Sequence, residues 1–234
     1  MLPRPTRPEY STTIPSTGKK VKYNPFSVRE EKILVLASEG NDTEEITNAI
    51  VNVLQNCITS PSDLKIEDLA LFDIEYIFLK ARAKSVGESI NLRVTDPDDE
   101  TYTVSHSINI DRIGIDRTQD HSNVIFIDDE MQVKMRYPDI SFFTEGIDMS
   151  SLTDSLDTIS RCIESIISGD EVFERVDMNK DEIIEWLEGL TSEQFRRITN
   201  FFSTMPRLRH SFTLKNPNTN KDFTIVLEGL ADFF

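Results

Sequence analysis

Asp68-Leu-Ala-Leu-Phe72-Asp-Ile-Glu-Tyr76-Ile-Phe-Leu-Lys80-Ala-Arg-Ala-Lys84-Ser-Val-Gly87-Glu-Ser-Ile90-Asn-Leu92-Arg-Val94-Thr95 contains a change of period. Before Gly87, Leu69, Phe72, Tyr76, Ile77 and Leu79 recur at helical spacing, and the basic run Lys80–Lys84 suits the negative end of a helix dipole. After Gly87, Ile90, Leu92 and Val94 alternate with polar residues, as a half-buried strand requires. Helices and strands in separate blocks mean an α+β fold with antiparallel sheets.

Upstream of this stretch, residues 27–86 read as a helical unit. Ser27 stands three residues before Glu30, a capping-box spacing, and opens a helix that stops near Gly40. A second helix starts at an Asp42 or Thr43 cap and carries Ile46, Ala49, Ile50, Val53, Leu54, Cys57 and Ile58 as one apolar stripe. The third begins after Pro61, from about Asp63.

Downstream, residues 87–140 read as antiparallel β structure. Ser89–Thr95 and Thr101–Ile110 form one hairpin about Asp96-Pro97-Asp98-Asp99, and Asn123–Ile127 and Met131–Tyr137 form another about Asp128-Asp129-Glu130. Both acidic tips read as solvated turns. Residues 141–234 return to helices, over Leu152–Ile167, Lys180–Leu190 and Ser192–Ser203, and close with a hairpin of Arg209–Lys215 and Asp222–Glu228 about residues 216–220.

Residues 1–26 are an extended, basic, proline-rich arm. Through Arg29 the chain has Arg4, Arg7, Lys19, Lys20, Lys22 and Arg29 against Glu9 alone, a net +5 that leaves −21 for the rest of a chain whose total is −16. Five of the ten prolines lie here, so a helix is excluded. Three destinations are open to the arm: a partner protein, the chain's own acidic body, or nucleic acid. The acidic field opposes nucleic acid and anionic membrane, and the partner is preferred. The residues expected to bind it are Arg4, Arg7, Tyr10, Lys19, Lys20, Tyr23, Pro25 and Phe26.

Catalytic and metal motifs are sparse. Asp177, Asn179, Asp181 and Glu188 occupy calcium-loop positions, but Glu182 stands where that loop needs glycine. The competing reading is an Asn179 cap with Glu182 as its reciprocal partner. Cys57 and Cys162 fall on apolar stripes and read as core residues, so a reduced compartment is expected and a disulfide scaffold is not. His106, His121 and His210 lack metal spacing, and there is no phosphate-binding glycine loop or nucleophile elbow. No cofactor, metal or small-molecule substrate is expected. The apolar runs Ile33–Ala37 and Asn123–Ile127 are too short to span a membrane, and the basic start lacks the apolar core of a secretory signal.

Three stretches carry a resemblance. Leu2-Pro3, Tyr10 and Ile14-Pro-Ser-Thr-Gly18-Lys-Lys-Val-Lys-Tyr23-Asn-Pro-Phe26-Ser-Val-Arg-Glu-Glu-Lys32, then Asp68 through Glu88, then Leu227-Glu-Gly-Leu-Ala-Asp-Phe-Phe234, resemble the tail baseplate hub proteins of T-even-type bacteriophages. The resemblance implies a non-enzymatic protein that binds other hub or tail proteins, as a structural hub subunit or as a chaperone of hub assembly. It implies residence in the host cytoplasm during assembly and, for a permanent subunit, in the virion tail. Some similar sequences place cysteine pairs on the terminal hairpin, as a zinc ribbon would. Residues 216–220 hold no cysteine, so Phe212, Leu214, Phe223, Ile225 and Leu227 must hold that hairpin by packing, with Phe233 and Phe234 preferred as core plugs. The rival function is calcium-dependent binding or hydrolysis through residues 177–188.

Overall fold

A computed structural model describes residues 6–40, 43–144, 152–229 and 233. In chain order its elements are β1 (Tyr10–Thr13), β2 (Lys20–Tyr23), α1 (Val28–Glu39), α2 (Thr43–Cys57), β3 (Ile58–Ser60), α3 (Leu71–Ser85), β4 (Ser89–Asp96), β5 (Asp99–Asn109) and β6 (Ile115–Asp116). They continue as β7 (Val124–Phe126), β8 (Met131–Met135), α4 (Ser141–Thr144), α5 (Leu152–Cys162), β9 (Ile163–Ser168), β10 (Glu171–Glu174), α6 (Lys180–Glu188), α7 (Ser192–Thr204), β11 (Arg207–Lys215) and β12 (Asp222–Glu228). All pairings are antiparallel, in the orders β1-β2-β3, β4-β5, β10-β9-β8-β7 and β12-β11-β6. The fold is α+β, as the change of period at Gly87 implies.

Packing cuts across the four consecutive segments read from the sequence. One unit is Met1–Asp116 with Arg207–Phe234, and the other is Arg117–Pro206. The reason is the terminal hairpin: Leu208 and Ile115 are cross-strand partners, which returns β11 to the first unit.

In the first unit α3 is buried nearly all round. Phe72, Ile74, Ile77, Phe78, Leu79, Ala81 and Ala83 are in the core, together with the carboxylates of Asp73 and Glu75. Leu79 and Ala83 share a cluster with Ile108, Ile110, Ile113, Leu208, Leu227 and Phe233, the last fully buried. Phe233 is thus a core plug, as expected; Phe234 lies outside the described residues. Lys80 and Lys84 do more than meet the helix dipole. The Lys80 ammonium donates to the carbonyls of Asp111 and Ile113, and Lys84 bonds Glu88 at 2.6 Å and Asp111 at 2.9 Å. The third helix is also shorter than expected, because a 3-10 turn at Ile66–Asp68 precedes it. Ile58, counted into the second helix's stripe, is the first residue of β3.

The β4–β5 and β11–β12 hairpins of this unit meet face to face. His106 stacks on Phe212 at 4.4 Å and Tyr102 meets Phe223 edge-on at 6.1 Å. Packing is half of what holds the terminal hairpin. Asn216, fully buried in its turn, donates from Nδ2 to Asp96 at 2.6 Å and to Asp99 at 3.1 Å, and its Oδ1 accepts from Asn218 N at 2.8 Å. The tip at residues 96–99 is therefore not simply a solvated turn: Asp96 is buried. Hydrogen bonds from Thr101, Asn216 and Asn218 hold the Asp99 carboxyl at about 2.

In the second unit the β7–β8 hairpin forms as expected, its turn tied by Asp128 Oδ1 accepting from Glu130 N and Met131 N. The helix expected over Leu152–Ile167 stops at Cys162, and Ile163–Ser168 is β9. Ile159, Cys162, Ile163 and Ile166 fit a helical stripe as well as a strand, and pairing with β8 on one side and β10 on the other decides for the strand. The core holds Val133, Met135, Ile159, Cys162, Ile163, Ile183, Leu187, Ile198 and Phe201. Both cysteines are buried, and burial pushes each thiol up to about 12.

Candidate protein–protein interface

From Thr6 onward the basic arm lies on its own body, the second of the three destinations. Pro15 and Gly18 flank a turn in which Gly18, at φ +71, donates to the Ile14 carbonyl at 2.9 Å, so β1 and β2 fold back as a hairpin. The alternation in β2 buries Val21 and Tyr23 and exposes Lys20 and Lys22. β3 then pairs with β2, and Asn24 N donates to the Cys57 carbonyl at 2.8 Å. Ser16 closes the dock: its N–H donates to Asp73 Oδ1 at 2.8 Å and its hydroxyl to Asp73 Oδ2. Polar anchoring thus reaches a carboxylate inside α3.

The expected partner-binding residues separate accordingly. Tyr23 is 2% exposed and its phenol is pushed up to about 12 by burial. Phe26 stacks against Phe78 at 5.3 Å and its N–H donates to Ser85 Oγ at 2.7 Å. Tyr10 packs on Tyr23, and Pro25 offers its carbonyl to Arg7 at 3.4 Å. Arg7 also lies 3.6 Å from Glu30. Lys19 and Lys20 are exposed on the hairpin, while Arg4 lies outside the described residues. The arm is extended, as expected, but paired as a hairpin: Tyr23 is buried, Tyr10, Pro25 and Phe26 are half-buried, and Lys19 and Lys20 face solvent.

α1 follows this hairpin in the chain and packs on α2; its outer face is one that sequence reasoning had not singled out. Ser27 and Glu30 form the expected capping box. Burial alone would raise the Glu30 carboxyl, but bonds from the Ser27 side chain and backbone, with Arg7 nearby, hold it below the usual range. Glu30 is the only buried residue of α1; Val28, Val35 and Leu36 are exposed, Val28 by 82%. The signal was present in Ile33-Leu34-Val35-Leu36. Four consecutive apolar residues at about 100° per step sweep most of a helix's circumference, so one packing partner cannot cover them all.

The acidic loop at 177–188 has a different use. Asn179 Oδ1 accepts from Glu182 N at 2.8 Å and Glu182 accepts from Asn179 N at 3.1 Å, which is the helix-cap alternative. Among the described residues no group of three histidine, cysteine or acidic side chains is placed to hold a metal ion, and no helix is long and apolar enough to cross a membrane.

Exposed apolar side chains on a helix face and on strand edges, set in a strongly acidic surface, are the features of a protein that works by contact with other proteins. The chain belongs to the T4 bacteriophage base plate protein family, whose model matches residues 7–234. It is a phage baseplate protein, which associates it with the virion tail and suggests a non-enzymatic role. No curated protein and no solved structure gives a significant match.

Proposed function

We propose that this baseplate protein serves the assembly of the baseplate hub by binding other hub or tail proteins. The observation that carries the reading is the exposed apolar face of α1, with Val28, Val35 and Leu36 open to solvent; the β1–β2 hairpin separately directs Lys19 and Lys20 to solvent. Burying such a face on a partner gains about 25 cal/mol per Å² of apolar area, and the exposed cations of the hairpin steer the encounter. The acidic remainder of the chain repels other acidic proteins and favours an assembly factor that is released over a permanent subunit. Deleting residues 1–26 is no test of this surface, because Val21 and Tyr23 would leave the core with it.

A clean test changes only exposed positions. Leu36→Asp and the pair Lys19→Glu, Lys20→Glu should leave the thermal transition unchanged. Captured from infected cells after chemical cross-linking, each should recover less hub protein than the wild type. Undiminished recovery by both would remove this surface from the account.

A further inference from the structure

The sheet β10-β9-β8-β7 ends at β10, whose outer edge is paired with no strand among the described residues. All four residues of β10 are exposed, including Val172 at 54% and Phe173 at 44%. Adjacent residues of a strand point to opposite faces, so each face of the sheet reaches this edge with an uncovered apolar side chain. Phe173 ends the cross-strand row Ile125, Val133, Ile166, which is sealed at Val133 and Ile166 and opens only at the edge. Val172 ends the row Phe126, Gln132, Ile167 on the other face. One more strand would complete both rows.

Exposed edges are normally blunted by shortness, charged side chains, proline or a bulge. β10 is four residues long with a glutamate at each end, but it has no lysine or proline and its register with β9 is unbroken, so its edge is guarded by acidic charge alone and stays open to a basic strand. Asp170, Glu171 and Glu174 form no ion pair among the described residues, and Gly169 N, donating to the Glu130 carbonyl at 2.8 Å, brings the acidic turn at 128–130 alongside. A second copy fits poorly. Antiparallel self-pairing centred between Val172 and Phe173 would set Glu171 opposite Glu174 at both ends, and like charges directly opposed in a sheet are destabilising.

We propose that β10 is an edge for strand addition, and that it takes an extended segment of another protein with lysine or arginine opposite Glu171 and Glu174 and apolar residues between them. Backbone pairing supplies the affinity and the two glutamates supply the selection. The inference rests on the protein acting by contact, but it concerns a different unit from the α1 surface. Peptide binding at β10 would remain measurable if no hub complex were found, so the two readings fail separately.

The probe is a fluorescein-labelled, end-blocked octapeptide with the central sequence lysine–valine–isoleucine–lysine, titrated with the full chain by fluorescence anisotropy. Two controls are the same peptide with glutamates for lysines and one N-methylated at alternate amides. Saturable binding of the lysine peptide alone is expected. The double variant Glu171→Lys, Glu174→Lys, which alters only exposed side chains, should weaken it at least tenfold and gain binding of the glutamate peptide. Equal binding of all three peptides, binding unchanged in the double variant, or no binding at millimolar peptide would overturn the proposal. So would a concentration-dependent dimer lost in the same variant, which would make a second copy the occupant.

Discussion

Replacing Asn216 by alanine tests the joint between the β4–β5 and β11–β12 hairpins. The amide is fully buried, and two carboxylates and two backbone N–H groups depend on it. Asp96, itself buried, loses its 2.6 Å donor; a hydrogen bond to a charged group contributes about 1.5–3 kcal/mol. Asn218 N loses its acceptor at 2.8 Å, about 1 kcal/mol more. The bond to the less buried Asp99 adds little. We therefore expect a loss of about 2.5–4 kcal/mol, a large share of the 5–15 kcal/mol typical of a domain. The assay is urea unfolding at pH 7, where the midpoint should fall with the slope unchanged. There is an acid counterpart. The Asp99 carboxyl is held at about 2 when folded, so its contribution is full above its unfolded value near 4 and disappears as pH falls toward 2. Without Asn216 that window should shift upward. A loss below about 0.5 kcal/mol, the range of an ordinary surface substitution, would show that the turn is solvated and the reasoning wrong.

Three further outcomes follow from the geometry. Ser16→Ala removes the hydroxyl donor to the buried Asp73 carboxylate and should cost about 1.5–3 kcal/mol, with proteolytic cleavage within residues 14–20 accelerated ahead of global unfolding; equal cleavage rates would deny the dock. Burial lowers the pKa of His121 from its ordinary value, and its ring nitrogens lie 3.0 Å from the hydroxyls of Thr204 and Tyr137. Its folded pKa is depressed, so its stabilisation is present above about 6.5 and is lost as pH falls through the folded value; the melting temperature should drop between pH 7 and 5, less so in His121→Gln. Cys57 and Cys162, buried with thiols near 12, should react with a disulfide reagent no faster than the protein unfolds; prompt labelling of either would contradict their place in the core.

What the sequence could reveal depended on how local the signal was. Capping boxes at Ser27 and Asn179, the alternation through Leu92 and Val94, and the stripe on α2 are set within a few residues, and each is where its pattern put it. Ile163 and Ile166 were ambiguous because a helical stripe and a buried strand use the same residues, and the partner strands β8 and β10 lie outside any local window. The arm's destination stayed open for a related reason. Its prolines and charges describe a chain that cannot form a helix, but its dock is Asp73, 57 residues away from Ser16 in sequence. Asp96 looked like a surface turn because its partner, Asn216, lies 120 residues on. The uncovered face of α1 was legible in Ile33–Leu36, whereas the open edge of β10 depended on knowing the strand order.

That this baseplate protein works by binding hub proteins while the hub is built is the central proposal. Quantitative mass spectrometry of assembly intermediates from infected cells, sorted by sedimentation and set beside purified infectious particles, tests it most directly. The chain should co-sediment with hub proteins in the intermediates, and, as a released factor, be depleted from finished particles; a fixed few copies per particle would make it a permanent subunit instead. Sedimentation as a free monomer throughout, with none in particles, would contradict the claim.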